Sequence, residues 1–136
     1  MTRDTLALAV KIALAIGFAI DVSVGLLGLF APQLMLPLLD VPVGDPMLAH
    51  AAGGEFVVAA LVYALAFSDL RRFRVLLWIC TADQLFGVIV PAYAVTSGAW
   101  PATFKTVAPI PFQALLALLF AAYAVRAPQR TIVSDE

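Results

Sequence analysis

The sequence predicts an all-α protein, a four-helix transmembrane bundle, and three observations carry that prediction. Apolar residues make up 63% of the 136-residue chain and charged residues only 12%. Mean hydropathy is +1.01. The apolar residues also gather into four blocks, each close to the roughly 20 residues that cross a bilayer. Such a chain is too oily and too weakly charged for an ordinary soluble domain. A single membrane domain, 1–136, is expected, with spans at about 6–30, 47–67, 75–95 and 107–125. The net charge of −1 says little about partners, because the placement of charges matters more than their sum. No nucleic-acid partner is expected. The lone Cys80 rules out an intramolecular disulfide or a CxxC redox pair, and the lone His50 rules out a bis-histidine haem within the chain.

The first block continues past Asp21 to Phe30 with no cleavage-site pattern followed by polar sequence, so it reads as a retained span rather than a signal peptide. On a helix, Gly17, Asp21, Gly25 and Gly28 share one side, a strip of small residues with a carboxylate inside it. Lys11 is expected to snorkel to the near interface. Pro32, Pro37, Pro42 and Pro46 then forbid a spanning helix, while the leucines among them are too apolar for open water. A short interfacial helix starting at Pro32 and capping the bundle is the expected outcome.

The second span carries His50, Gly53, Gly54, Glu55 and Tyr63 and ends in the turn around Arg71, Arg72 and Arg74. Those arginines read as topology determinants first and anionic-lipid contacts second. Gly53-Gly54 reads as a close helix crossing rather than a ligand nest. The third span carries Cys80, Thr81, Asp83, Gln84, Gly87 and Pro91. A loop from Thr96 to Lys105 follows, with Trp100 at the interface, and Trp78 likewise reads as a lipid or interface anchor. The fourth span opens with Pro109 and Pro111 and carries Gln113; the tail after Arg126 reads as polar and frayed.

Four spans place Arg3, Lys11, the Arg71 turn, Arg126 and Arg130 on one side, against Lys105 with Asp40 and Asp45 on the other. The positive-inside rule then makes both termini cytoplasmic in a multi-pass protein of the cell (inner or plasma) membrane. A weak repeat is also visible: Asp21-x3-Gly25 followed by Pro32, and Asp83-x3-Gly87 followed by Pro91. Tyr63-Ala64 and Tyr123-Ala124 sit at similar offsets. This fits a parallel two-plus-two arrangement about an axis normal to the membrane; coincidence is the alternative, because D-x3-G is common in apolar chains with glycine.

The candidate functional residues are the polar groups inside the spans: Asp21, His50, Glu55, Asp83, Gln84 and Gln113. Counted at 1.5 Å per residue, they fall in the outer and middle zones, which suggests a polar cavity open at the outer face and closed below by leucine, alanine and phenylalanine. Small residues four positions away, such as Ala59, Gly87 and Ala117, let helices approach and would turn these groups inward. Three carboxylates in one cavity cannot all stay ionised without cations, and protonation is the simplest way to neutralise them. They read as a proton relay or a polar-ligand site, with interhelical hydrogen bonding to Ser23, Thr81, Gln84 or backbone as the structural alternative. For His50 a structural or surface role stands against pH sensing or ligand binding. No ligand spacing supports a metal.

The succession Leu29-Phe30-x-Pro32, an apolar Leu-Pro-Leu-Leu loop, and Asp45-Pro46-Met47-Leu48-Ala49 leading into Gly53-Gly54 resembles the DoxX-like group of small four-helix membrane proteins. The resemblance covers roughly the first half of the chain, and the third and fourth spans match in hydropathy and length. It implies an accessory subunit of a redox or quinone-linked membrane system. The first reading of the chain is accordingly a non-catalytic subunit whose outer-half cavity holds a small amphiphile such as a quinone or a lipid, or docks a partner protein. The alternative is a proton-coupled transporter of a small solute using Asp21, Glu55 and Asp83, for which four helices would need a homodimer. A membrane enzyme with paired carboxylates ranks last, since no nucleophile or cofactor motif accompanies the acids.

Overall fold

The computed structural model describes residues 3–42 and 45–126 and is all-helical across them apart from turns. The expected tail after Arg126, with Arg130, lies outside the described residues. Four helices are long and apolar enough to cross a membrane. They are α1 (Arg3–Phe30), α3 (Pro46–Ser68), α4 (Leu76–Thr96) and the run Phe104–Arg126, which consists of the short α5 (Phe104–Val107) followed by α6 (Pro109–Arg126); the short helix α2 (Pro32–Leu38) joins α1 to α3. The chain is an integral membrane protein with its two short helices at the same end of the bundle; the Arg71 turn lies at the other.

Local chemistry sets each boundary. Pro32 opens α2 at the first-turn position, where its missing N–H costs nothing. The helix closes in a Schellman motif: Val41 N–H donates to Leu36 O at 3.0 Å and Asp40 N–H to Pro37 O at 3.2 Å. The motif requires a left-handed residue after the cap, and Asp40 supplies it at φ 54°. Asp45 caps α3 by accepting from Met47 N–H at 2.9 Å, ahead of Pro46. In the arginine turn, the Asp69 carboxylate accepts from the Arg71 and Arg72 N–H groups, each at 3.0 Å.

The fourth span, expected from Val107, opens with a separate short helix: α5 overlaps the end of what reads as loop, at Lys105, and is started by a capping box in which the Thr103 and Thr106 side chains each accept from the other's backbone N–H. Pro109 cannot donate to continue that helix, so α6 starts afresh after Ala108.

The spans pack as two pairs, α1 with α3 and α4 with α6, and the seams between the pairs are thinner. One stripe of α1, running through Val10, Leu14, Gly17, Asp21, Gly25 and Gly28, is buried throughout. At its upper end the α1–α3 crossing is backbone on backbone. A Cβ on Gly28 would stand 2.7 Å from Gly53 Cα, and one on Gly53 2.7 Å from Leu29 N. Gly53 is thus a crossing glycine as expected, whereas a Cβ on Gly54 meets nothing within 4 Å.

The apolar core fills the arginine-turn half, where Val10, Leu14, Tyr63, Leu77, Cys80 and Phe120 are all but sealed from the outside. Lys11 lies 5.4 Å from the centre of the Phe67 ring, a cation–π contact that anchors its ammonium near the end of α3.

Candidate functional site

The space in this bundle lies in the other half. Below α2 and α5, a cavity of about 430 Å³ opens between α1, α4 and α6. Its walls are apolar, with Ile20, Leu38, Leu39, Phe104, Phe112 and Leu116 among them. Besides Lys105 from α5, three polar side chains interrupt this lining: Asp21 from α1, Gln84 from α4 and Gln113 from α6. Asp21 and Gln84 are each only 6% exposed. One oxygen on each of the three, Asp21 Oδ2, Gln84 Oε1 and Gln113 Oε1, is buried with no hydrogen-bond partner. Unpaired buried acceptors of this kind cost about 1–3 kcal/mol each, and all three belong to side chains that line this one space.

The orientation of Gln84 follows from its neighbours. Tyr63 on α3 donates its only hydroxyl proton to Asp83 Oδ2 at 2.5 Å. The lone pair left on that hydroxyl accepts from Gln84 Nε2 at 2.6 Å, and the same amide nitrogen lies 3.3 Å from Asp83 Oδ2. With its nitrogen committed to this pair, Gln84 has to present its oxygen to the cavity. Tyr63 itself is held from two sides. Gly17 lets the ring lie flat on α1, with ring Cε2 3.1 Å from where a Cβ at 17 would stand, and Phe120 packs at a centroid distance of 6.0 Å, tilted 42°. Gln113 folds its carboxamide against Gly87, into the volume a side chain at 87 would occupy.

The mouth carries the second polar feature. Lys105 of α5 reaches Asp40 at the end of α2, Nζ to Oδ1 at 3.0 Å, and Lys105 also lines the cavity. Its hydrogen bond, with a further one from Thr103, holds the Asp40 carboxyl below the usual carboxylate range. The floor is the apolar core, with Leu14, Tyr63 and Phe120 fully buried beneath the polar groups.

Not every candidate joins this site. Asp21, Gln84 and Gln113 line this cavity, whereas His50, Glu55 and Asp83 are exposed and lie outside it. The expectation of three carboxylates in one cavity is therefore corrected to one carboxylate and two amides. The buried stripe of α3 runs through Ala49, Gly53, Ala60 and Tyr63, and Glu55, two residues past Gly53, points about 200° away from it. Glu55 and Asp83 instead line a separate groove of about 530 Å³ between α3 and α4, with Gly54, Val58, Ile79 and Cys80. Asp83 touches the interior only through Tyr63 and Gln84.

Tyr63, Lys105 and Asp40 are site residues that the sequence reading did not place there. A signal existed for each: a mid-span tyrosine needs a hydroxyl partner, and Lys105 is the one cation expected on its side of the membrane, with Asp40 and Asp45 the acids there. Among the described residues no three His, Cys, Asp or Glu side chains come together. No family model, curated protein or solved structure matches the chain.

Proposed function

We propose that this protein is a non-catalytic accessory subunit of a redox or quinone-linked membrane system, and that the cavity under α2 and α5 holds a small amphiphilic molecule. The observation that carries the reading is the convergence of Asp21, Gln84 and Gln113 on an otherwise apolar space that the core closes from below. Apolar walls with a few convergent polar groups are the usual form of a small-molecule site, and the volume suits a compact ligand. With both termini in the cytoplasm, as the arginine distribution suggests, the mouth faces the outer side. The redox assignment itself rests on the DoxX-like resemblance of the first half.

Mass spectrometry of the purified protein tests the reading. The expected result is a stoichiometric amphiphile that is lost when Leu116→Trp fills the cavity, while the variant keeps its helical circular dichroism. A protein that purifies without a bound small molecule, and takes up none from a lipid and quinone extract, overturns it.

Proton-coupled transport is the second reading, favoured by the polar chain from Gln84 through Tyr63 to Asp83, which links the cavity wall to the outward-facing groove. Solute-driven proton flux in proteoliposomes, abolished by Asp21→Asn, would replace the accessory role with transport.

A further inference from the structure

The buried polar atoms of the cavity's lining residues share a sign. Those without a hydrogen-bond partner are all acceptors: one carboxylate oxygen and two amide oxygens, on three different helices. The Gln84 nitrogen, the donor that could have answered a ligand carbonyl, is committed to Tyr63 and Asp83. The nearest cation, Lys105, is drawn to Asp40 at the mouth. A molecule with only acceptors, such as a quinone, would set oxygen against oxygen here. A molecule with three donors on one atom and a positive charge would satisfy all three acceptors and the carboxylate together. A primary ammonium is that group: three N–H donors, no acceptor, one positive charge. The apolar residues of the wall suit a hydrocarbon body.

We propose that the cavity between α1, α4 and α6 is a site for the primary ammonium head of a small amphiphilic amine, its three N–H groups donating to Asp21, Gln84 and Gln113. This rests on the reading that the cavity holds an amphiphile and names the chemistry of the head group. Asp21 supplies charge, Gln84 supplies direction because Tyr63 fixes it, and Gln113 closes the third side.

The test uses the full chain in maltoside micelles and compares octylammonium, octyltrimethylammonium, octanol and decylbenzoquinone by saturable binding. Octylammonium is expected to bind at least about tenfold more tightly than the trimethyl analogue, which has the charge without the donors, because a site built from buried acceptors rejects a ligand that leaves them unpaired. Asp21→Asn and Gln113→Leu should each weaken octylammonium about tenfold and leave octanol unchanged. Glu55→Gln, outside the cavity, should change nothing. Equal binding of the two cations, or octylammonium binding that survives both cavity substitutions, overturns the proposal. Should either variant fail to fold, the ligand series on the unsubstituted chain decides alone. Decylbenzoquinone binding more tightly than octylammonium, and lost in Leu116→Trp, overturns the ammonium assignment while leaving the amphiphile reading in place. Absence of saturable binding by all four probes overturns both.

Discussion

The two helix pairs use one local pattern for opposite ends. In α1 the glycine of the run Asp21-x3-Gly25 meets α3, and in α4 the glycine of the run Asp83-x3-Gly87 meets α6. In the first pair, glycine meets backbone: a Cβ on Gly25 would stand 3.0 Å from Gly53 O, and Gly28 and Gly53 touch. In the second pair, Gly87 meets the carboxamide of Gln113 instead. Where glycine faces glycine the helices close and leave no room. Where it faces glutamine, a polar amide fills the volume the missing side chain leaves and is held inside the bundle. The aspartates differ in the same sense. Asp21 is turned inward and presents an unpaired oxygen, whereas Asp83 is turned outward with its oxygen bound by Tyr63. A glycine in a membrane helix thus makes room, and its partner decides whether the room is used for packing or for a polar group.

The largest expected effect is on the first pair. Gly53→Val places a side chain into the α1 backbone, where nothing flexible can yield, and should cost about 3 kcal/mol or more. Gly54→Val, one residue on and facing open space, should stay within about 0.5 kcal/mol. Unfolding midpoints of the two variants in mixed denaturing micelles check the contrast, and similar losses for both would mean that the α1–α3 crossing is not what holds this pair.

Next in size is Tyr63→Phe, which keeps the ring packed on Gly17 and Phe120 but removes the hydroxyl's bonds to Asp83 and from Gln84, leaving the Gln84 amide nitrogen only Asp83 Oδ2 at 3.3 Å. A loss of about 1–3 kcal/mol is expected in the same assay. Since Gln84 is then held only by the longer bond to Asp83, the cavity's preference for donor ligands should weaken. A variant as stable and as selective as the unsubstituted chain would detach Tyr63 from the site.

The second pair should respond more mildly and in a coupled way. Gly87→Ala puts a methyl where the Gln113 carboxamide lies, but that group ends a flexible side chain and can move, so about 1 kcal/mol is expected. Gln113→Ala should relieve the clash, and the double variant should be more stable than the sum of the single losses by at least about 0.5 kcal/mol. Strict additivity would show that Gly87 and Gln113 do not share the space between α4 and α6.

What the sequence displays and what it conceals divide along the same physical line. Span number and position are legible because crossing a bilayer demands length and apolarity, and α2 because Pro32 starts a helix but four prolines bar a span. Facing is only half legible. In lipid a helix can be apolar all round, so periodicity does not reveal its inner side. Asp21 is readable because Gly17 and Gly25 flank it on its own stripe. Glu55 misleads because Gly53, two residues earlier, belongs to the opposite side, and Ala59 is an ordinary small residue that marks no crossing. For Asp83 and Gln84, one step apart and about 100° around the helix, nothing local says which one faces in. The buried Leu77, Cys80, Thr81 and Gln84 settle it, and that stripe exists only once α4 has packed. Helix α5 escapes because Thr103 and Thr106 cap a helix of four residues, too short for any hydropathy pattern.

The smallest expected effect is where the two pairs meet over the mouth. Asp40 ends α2, on the α1–α3 side, and Lys105 lies in α5, on the α4–α6 side, so their ion pair ties the halves together above the cavity. The Lys105 hydrogen bond, aided by Thr103, depresses the Asp40 carboxyl, so folding favours its charged form. The sign follows: the tie is complete above the usual carboxylate range and is lost as the pH falls through the depressed value, when Asp40 takes up a proton. Both side chains are substantially exposed, so salt should weaken the pair as acid does and global stability should hardly move. The sensitive readout is local. Hydrogen exchange at Lys105, Thr106 and Val107 should quicken with acid relative to the intrinsic rate, and Lys105→Met should remove that pH dependence while leaving exchange in α6 unchanged. An acid response that persists in Lys105→Met would assign the closing of the mouth to the apolar contacts of α2 with α1 and α3, and leave the second pair free to move beneath it.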